Sequence, residues 1–222
     1  NGSGGGASYC QSQTAKIGDR CKPFEGTATV FTLKKVKCAV KDGEILKGIS
    51  LEIPKGSRTV FLGENGCGKT TLMRLIARLY KPTGGTITQY LDGKFRQKPR
   101  GSRAWYKKVG VVYQNPDYQL FMPTVEKELG FGAPSPDSAE QIAELFGIKH
   151  LWRRHPQSLS EGQKRRVSIA AVVACQPEVL LLDEPTVGQA SDGTFQLVEI
   201  LNKLAEQTVN TMLTIPQAAR CQ

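Results

Sequence analysis

The chain has 222 residues, of which 39% are hydrophobic and 23% charged, which is the composition of a folded globular protein rather than of a disordered chain. No apolar run approaches the length of a transmembrane helix. The formal net charge of +10 at pH 7 favours anionic partners such as nucleotides, nucleic acids or acidic lipids, without choosing among them.

The start of the chain is predicted to be a flexible tail. Residues 1–28 are rich in glycine, serine and other polar residues, and they bury too little apolar surface to order themselves. Because the chain begins at Asn1 rather than at methionine, we expect it to be a fragment or a processed product. The tail would then be a linker from an upstream domain.

From residue 29 onward, short apolar runs alternate with amphipathic segments. Such alternation is typical of an α/β fold whose parallel core sheet is covered on both faces. A basic stretch at residues 94–108 is predicted to be a solvated hairpin, the alternative being a contact with anionic lipid heads or RNA. The predicted strands are residues 30–36, 45–53, 60–62, 86–91, 109–113, 179–182 and 211–215, and the predicted helices are residues 70–80, 137–146, 161–175 and 194–205.

The six cysteines and two histidines are scattered and include no C-x-x-C pair. A zinc site or a disulfide framework is therefore not expected, and the cysteine content fits a reducing cytosolic environment.

A phosphate loop is predicted between an apolar strand and a helix, where Gly63 to Thr70 reads GENGCGKT and matches G-x-x-x-x-G-K-[ST]. Its glycines let the backbone wrap closely around a phosphate, and the loop amides and the helix N-terminus supply partial positive charge. Lys69 would reach the β and γ phosphates, and the Thr70 hydroxyl would bind Mg²⁺. The alternative is a glycine-rich turn without a ligand. The predicted ATP-binding residues here are Gly63, Asn65, Gly66, Cys67, Gly68, Lys69, Thr70 and Thr71.

Two carboxylates, Asp183 and Glu184, follow the apolar strand at residues 179–182. In a parallel sheet this places them at the same edge as the phosphate loop. Asp183 is predicted to hold Mg²⁺ through water, and Glu184 is predicted to act as general base on the attacking water. Taken alone, an acidic pair after a strand is more often simply the start of a loop.

A third motif, Leu159-Ser160-Glu161-Gly162-Gln163, opens a predicted helix, and its Ser160 and Gln163 also fit a simple S-x-x-Q capping box. In this order the three motifs resemble those of an ATP-binding cassette (ABC) ATPase, whose signature LSGGQ is matched except at Glu161. The resemblance implies a P-loop NTPase fold in residues 29–222: a parallel core sheet, an antiparallel β subdomain and a helical subdomain at about residues 115–170, truncated at the C-terminus.

The resemblance also implies how the site works. Gln114 would be the glutamine of the Q-loop, which touches Mg²⁺ or the attacking water and senses a membrane partner. Two cassettes would face each other head to tail, so that Ser160, Gly162 and Gln163 contact the ATP bound to the partner cassette. The adjacent basic residues Lys164, Arg165 and Arg166 are expected to face solvent or this dimer interface.

Three positions depart from the family pattern. No aromatic residue for stacking on adenine lies near Val40, and Phe31 or a residue of a partner chain could take that role. Ala190 stands where an aspartate is expected. Gln217 stands where the family has a catalytic histidine, and glutamine can donate a hydrogen bond but cannot carry a proton. The site is then either a half-site that hydrolyses ATP slowly, or a complete site whose last residues are altered by truncation or a sequence artefact. The second interpretation is slightly favoured.

Segments 114–121, 123–126 and 162–167 are similar to those of energy-coupling factor importers. That resemblance implies an ATP-binding and ATP-hydrolysing subunit with catalytic residues Glu184, Lys69, Gln114 and Gln217, and with Mg²⁺ held by Thr70, Gln114 and Asp183. The expected partners are a second cassette, identical or not, a transmembrane coupling subunit and a substrate-binding membrane subunit for a vitamin or a transition-metal ion. The chain would lie peripherally on the cytoplasmic face of the membrane, with no nucleic acid partner. Alternatives are a soluble cassette acting on nucleic acid or ribosomes, and a degenerate regulatory half-site.

Overall fold

The structure is a computed structural model that describes residues 12–16, 29–40, 43–91, 94–96, 108–186, 197–203 and 210–216. The strands are β1 (Ser12–Lys16), β2 (Thr29–Val40), β3 (Gly43–Pro54), β4 (Arg58–Gly63), β5 (Gly84–Leu91), β6 (Lys94–Arg96), β7 (Val109–Val112), β8 (Val179–Asp183) and β9 (Asn210–Pro216). The helices are α1 (Lys69–Ile76), α2 (Val125–Gly130), α3 (Pro136–Leu145), α4 (Glu161–Ala174) and α5 (residues 197–203).

A five-stranded parallel sheet forms the centre of the protein, in the order β1-β4-β9-β8-β7. Residues 179–182 of β8 are fully buried, as expected of a strand covered on both faces. Since all strands run in one direction, β4 and β8 end at the same edge, separated only by β9. The predicted parallel core sheet is thus confirmed.

A second, antiparallel sheet has the order β3-β2-β5-β6. Its long hairpin β2–β3 pairs Leu33 with Leu51 and is interrupted by an irregularity between Leu33 and Val36, where Lys35 has a φ of 48°. The inner face of this hairpin packs with α1 in one hydrophobic cluster, in which Phe31 is completely buried. The predicted antiparallel subdomain is confirmed.

A helical region follows β7 and contains α2, α3 and α4 with three short 3-10 helices. Its own core includes Val125, Leu129, Phe146 and Ile169, all between 0 and 2% exposed. The predicted helices at residues 137–146 and 161–175 correspond to α3 and α4 within one residue at each end. The predicted helical subdomain is confirmed.

Several elements differ from the sequence-based prediction, among them the unpredicted helix α2, the strand β1 and the end of α1. Residues 12–16, predicted to belong to a flexible tail, form β1 and pair in parallel with β4. Their sequence SQTAK has no apolar alternation, so hydrophobic patterning does not predict this strand. Helix α1 ends at Ile76 instead of Tyr80, since Arg78 adopts a left-handed conformation with φ 59°.

Several predicted segments lie outside the described residues, namely residues 97–107 of the basic stretch and both ends of the predicted helix at residues 194–205. Within the part of the chain that the structure describes, no helix is long and apolar enough to cross a membrane.

Candidate functional site

The edge where β4 and β8 end holds a cleft of about 360 Å³. The phosphate loop connects the end of β4 to α1 and forms one wall of this cleft. Eight of the predicted site residues line it: Asn65, Gly66, Gly68, Lys69, Thr70, Thr71, Gln114 and Glu184. Sequence motifs more than a hundred residues apart are therefore brought together at one place.

Two loop glycines are required by the backbone. Gly66 and Gly68 have φ values of 80° and 96°, in the left-handed region that L side chains rarely adopt. A Cβ on Gly68 would also lie 2.7 Å from Leu46 Cδ2 and 3.0 Å from Ile45 Cγ2. The loop can therefore enter α1 only because residue 68 has no side chain.

The Lys69 side chain is 4% exposed, and its ammonium group is held by the loop itself. Nζ donates hydrogen bonds of 2.9 Å to the carbonyl oxygens of both Gly63 and Glu64, and it lies 3.7 Å from Glu184 Oε1. A buried ammonium group needs such partners. The result is a fixed positive charge at the mouth of the loop, where an anionic phosphate would be stabilised.

The Thr70 hydroxyl donates a 2.8 Å hydrogen bond to Asp183 Oδ2, which joins the start of α1 to the end of β8. A hydroxyl and a carboxylate are the oxygen ligands that Mg²⁺ uses when substrate phosphates and water complete its coordination. No group of three or more His, Cys, Asp and Glu side chains able to hold a metal occurs among the described residues. The pair thus fits Mg²⁺ bound together with a nucleotide, rather than a metal held by protein ligands alone.

Glu184 stands at the centre of the cleft in an unusual backbone conformation, with φ 47°. Left-handed geometry costs a residue with a side chain about 1–2 kcal/mol, and it persists where the surrounding structure enforces it. One carboxylate oxygen faces Lys69, and the other accepts a 2.9 Å hydrogen bond from Gln114 Nε2. The carboxylate is therefore held in one orientation between a cation and an amide.

The signature residues lie elsewhere. Ser160 caps α4: its Oγ accepts a 3.4 Å hydrogen bond from the Gln163 backbone N–H, and Gln163 Oε1 accepts a 3.1 Å bond from the Ser160 N–H. The predicted capping box is confirmed. Neither these residues nor Gly162 lines the cleft of their own chain, and Ser160 is exposed.

Some predictions about the nucleotide base need correction. Phe31 is 0% exposed in the core behind α1, so it cannot stack on adenine. Val40 is 51% exposed and offers no aromatic ring. The Cys67 side chain packs against Gly63, and the predicted role of Cys67 in the phosphate loop, through its backbone amide, stays a prediction. Gln217, Ala190 and the nearby Asp192 lie outside the described residues.

One residue was misplaced by the sequence-based reasoning. Arg165, expected to face solvent or a dimer interface, is only 2% exposed. It binds the backbone carbonyl oxygens of Tyr113 and Gln114. The signal was present in the sequence, because Arg165 lies four and eight residues before Ile169 and Val173 and so shares their buried helix face.

Residues 46–187 match the family described as ABC transporter. The chain is 38% identical over 174 residues to the energy-coupling factor transporter ATP-binding protein EcfA of Methanoculleus marisnigri, covering 75% of this chain and 62% of that protein. It is 40% identical over 182 residues to EcfA2 of Streptococcus pyogenes, covering 78% and 65%. It therefore spans less than two thirds of these relatives.

A solved structure is also similar. It is that of cbiO1 from Clostridium perfringens, described as part of the ABC transporter complex cbiONQ. The TM-score is 0.71 at 32% sequence identity, over 84% of this chain and 77% of that one.

Proposed function

Because the chain belongs to the ABC transporter family, we propose that it is the ATP-binding and ATP-hydrolysing subunit of a membrane importer of the energy-coupling factor type. The observation that supports this best is the cleft itself, where the phosphate loop with Lys69, the pair Thr70–Asp183 and the pair Gln114–Glu184 converge. Two relatives named as energy-coupling factor ATP-binding proteins favour this transporter class.

In the proposed reaction, water attacks the γ-phosphorus of ATP and gives ADP and phosphate. Lys69 stabilises the negative charge on the phosphoryl group being transferred. Glu184 accepts the proton of the attacking water, and the Gln114 amide fixes the orientation of that carboxylate. A phosphate that enters the cleft would accept a hydrogen bond from the Lys69 ammonium group, in place of one of the loop carbonyl groups to which it now donates.

Mg²⁺ would be held by Thr70, Asp183 and Gln114, with Asp183 acting through water. When bound, it would neutralise charge on the β and γ phosphates. The hydroxyl–carboxylate pair supplies the oxygen donors this ion prefers, and its 2.8 Å separation shows that both groups already point to one place.

The functional unit is proposed to be a pair of cassettes, identical or not, arranged head to tail. Ser160, Gly162 and Gln163 at the start of α4 would contact the γ-phosphate bound to the partner cassette. Two observations support this: the residues do not line their own cleft, and α4 is a 14-residue helix whose N-terminus provides partial positive charge. The cassette is proposed to begin near residue 29, preceded by a linker that contributes β1.

The membrane partners are proposed to be a transmembrane coupling subunit and a substrate-binding subunit for a vitamin or a transition-metal ion. The chain would bind them peripherally at the cytoplasmic face, through the helical subdomain at about residues 115–170, and would have no nucleic acid partner. This subdomain exposes an edge-to-face aromatic pair, Phe121 and Phe131, at 66 and 69%. Exposed apolar side chains of this size favour a protein partner.

A second candidate is a regulatory cassette that binds ATP without turning it over. Only the residues at two positions favour it, Gln217 in place of the family's histidine and Ala190 in place of an aspartate. Turnover by the assembled protein decides between the two candidates.

The experiment is an affinity purification of the tagged protein from gently solubilised membranes, with partners identified by mass spectrometry. We expect a polytopic membrane protein, with or without a second cassette. Replacing both Phe121 and Phe131 by serine should abolish its recovery, whereas the control Tyr80→Ser, at an exposed aromatic on the α1 side, should not. Recovery of ribosomes, RNA or DNA-repair proteins without a membrane protein would contradict the proposal.

A further inference from the structure

Arg165 is a buried cation whose role the proposed reaction does not explain. Its side chain is 2% exposed on the inner face of α4, two residues after the signature segment at residues 159–163. Burial lowers the pKa of its guanidinium group, while the carboxylates of Glu161, Asp183 and Glu184 oppose that shift. Arginine remains charged even so, because its ordinary pKa is far above neutral. A buried charge this costly needs partners that compensate for its lost hydration.

Those partners are two consecutive backbone carbonyl groups. Nη1 donates a 2.9 Å hydrogen bond to the carbonyl oxygen of Tyr113, and Nη2 donates to that of Gln114. Nε is buried and has no hydrogen-bond partner among the described residues. The two N–H donors of the planar guanidinium therefore bind the backbone where the chain leaves β7. This attaches α4 to the first residues after the strand.

The segment held by Arg165, residues 113–115, lies between β7 and the short 3-10 helix at Pro116–Tyr118, which the Asn115 side chain caps. It follows the last residue of β7 without regular structure, and the Tyr113 N–H is bound by a side chain, at 2.9 Å from Gln119 Oε1. Further along, Lys164 Nζ donates a 2.8 Å bond to Asp117 Oδ1. Side chains, two of them from α4, thus set the path of this segment in place of a strand ladder.

The same segment carries the residue that touches the catalytic carboxylate. Gln114 Nε2 donates to Glu184 Oε2 at 2.9 Å, so the path from α4 to the cleft has two steps: Arg165 to the Gln114 backbone, and the Gln114 side chain to Glu184. Hydrogen bonds of this kind hold a reacting group to within a fraction of an ångström, and a misplacement of about 1 Å can cost about 100-fold in rate.

We propose that Arg165 is a positioning residue that fixes Gln114 against Glu184 and so links the signature helix to the hydrolytic carboxylate of the same chain. This inference rests on the proposed function only in calling Glu184 the general base. Lysine cannot replace Arg165, because a single ammonium group on a flexible stem does not reproduce two parallel bonds to adjacent carbonyl groups.

The first test measures how firmly Arg165 holds residues 113–119 and does not require ATP hydrolysis. Hydrogen–deuterium exchange of the full chain is followed in a peptide covering residues 113–119, in the wild type, Arg165→Met and Arg165→Lys. Both variants should raise exchange in this peptide by about 10-fold or more, while the phosphate-loop peptide stays unchanged. The control Ser168→Ala removes an equally buried polar group of α4 whose hydroxyl donates, among the described residues, to the backbone carbonyl of Arg165 and not to residues 113–119, and it should leave that peptide unaffected. Unchanged exchange in both Arg165 variants would overturn the proposal.

The second test asks whether Arg165 acts through Gln114. Arg165→Met should lower kcat by about 10- to 100-fold in the wild-type background and less than about 2-fold in a Gln114→Ala background. The equilibrium Kd for ATP should change by less than about 2-fold, since the phosphate loop is untouched. Equal losses of kcat in both backgrounds, or a parallel loss of ATP binding, would mean that Arg165 only supports the fold. A wild-type chain that does not bind ATP would refute the proposed function, and the exchange measurement would still decide on the positioning role.

Discussion

Gly66 and Gly68 of the phosphate loop both have left-handed backbones, but only Gly68 is closely packed. Substituting each in turn separates the cost of backbone strain from the cost of a packing clash. Gly66→Ala introduces a side chain at φ 80°, with no atom within 4 Å of the new Cβ. Gly68→Ala introduces one at φ 96°, with its Cβ 2.7 Å from Leu46 Cδ2. Leu46 is 1% exposed in the core behind α1, so it cannot simply move away.

The expected magnitudes follow from these distances. Gly66→Ala should lower the free energy of unfolding by about 1–2 kcal/mol, which is the cost of a left-handed backbone for a residue with a Cβ. Gly68→Ala should lower it by about 2–5 kcal/mol, because displacing the packed Leu46 adds an overpacking cost of about 1–3 kcal/mol.

The assay is urea unfolding of the full chain at constant pH and ionic strength, with the free energy taken by linear extrapolation. Gly130→Ala is the matched control: it lies in α2 with open space around its Cβ and no left-handed backbone, and alanine should be neutral there or stabilising by up to about 1 kcal/mol. An equal loss for Gly66→Ala and Gly68→Ala would refute the proposed contact between Gly68 and Leu46. A loss at neither position would refute the backbone conformation of the loop.

Three further predictions concern the chemistry of individual side chains. Glu184→Gln should keep ATP binding and reduce phosphate release by about 10²- to 10⁴-fold, because an amide cannot accept the proton of water; loss of binding instead would argue for a structural role. Partial desolvation raises the pKa of the Cys175 thiol, and only the thiolate is alkylated, so the iodoacetamide reaction followed by peptide mass mapping should be slow at pH 7 and still be accelerating at the pH where an ordinary thiol is half ionised. A rate that levels off below that pH would contradict this. Gln217→His should raise ATP turnover in the full assembly, measured as phosphate release at saturating ATP, because an imidazole can carry the proton that an amide cannot; an unchanged rate would show that residue 217 does not limit hydrolysis.

Much of the site could be predicted from the sequence because its parts are local motifs with fixed surroundings. A glycine-rich loop between a strand and a helix positions Lys69 and Thr70, and a buried strand positions Asp183. Parallel strands end at one edge of the sheet, so residues 113 positions apart meet in a 2.8 Å hydrogen bond. The general plan of the cleft therefore follows from periodicity and topology.

What the sequence did not reveal depends on tertiary contacts. Arg165 was expected to face solvent or a dimer interface because it stands in a run of three basic residues. Its spacing of four residues from Ile169, which places both on the buried face of the helix, was the better indicator. Residues 12–16 carry no hydrophobic pattern, although they pair with the edge of β4. Arg78 and Glu184 take left-handed conformations without a glycine or asparagine to mark them. In each case the surrounding packing, rather than local preference, determines the conformation.

The proposed function requires that this cleft bind the phosphates of ATP, and equilibrium titration of the full chain with Mg-ATP by calorimetry measures that binding. The wild type should bind one ATP per chain, and Lys69→Ala should weaken binding by about 10- to 100-fold, because a charge-assisted hydrogen bond contributes about 1.5–3 kcal/mol. The control Lys149→Ala removes a lysine paired with Glu140 on the surface and should leave the affinity unchanged. No measurable binding by the wild type, or equal affinity in Lys69→Ala, would show that this cleft does not bind ATP through its phosphate loop.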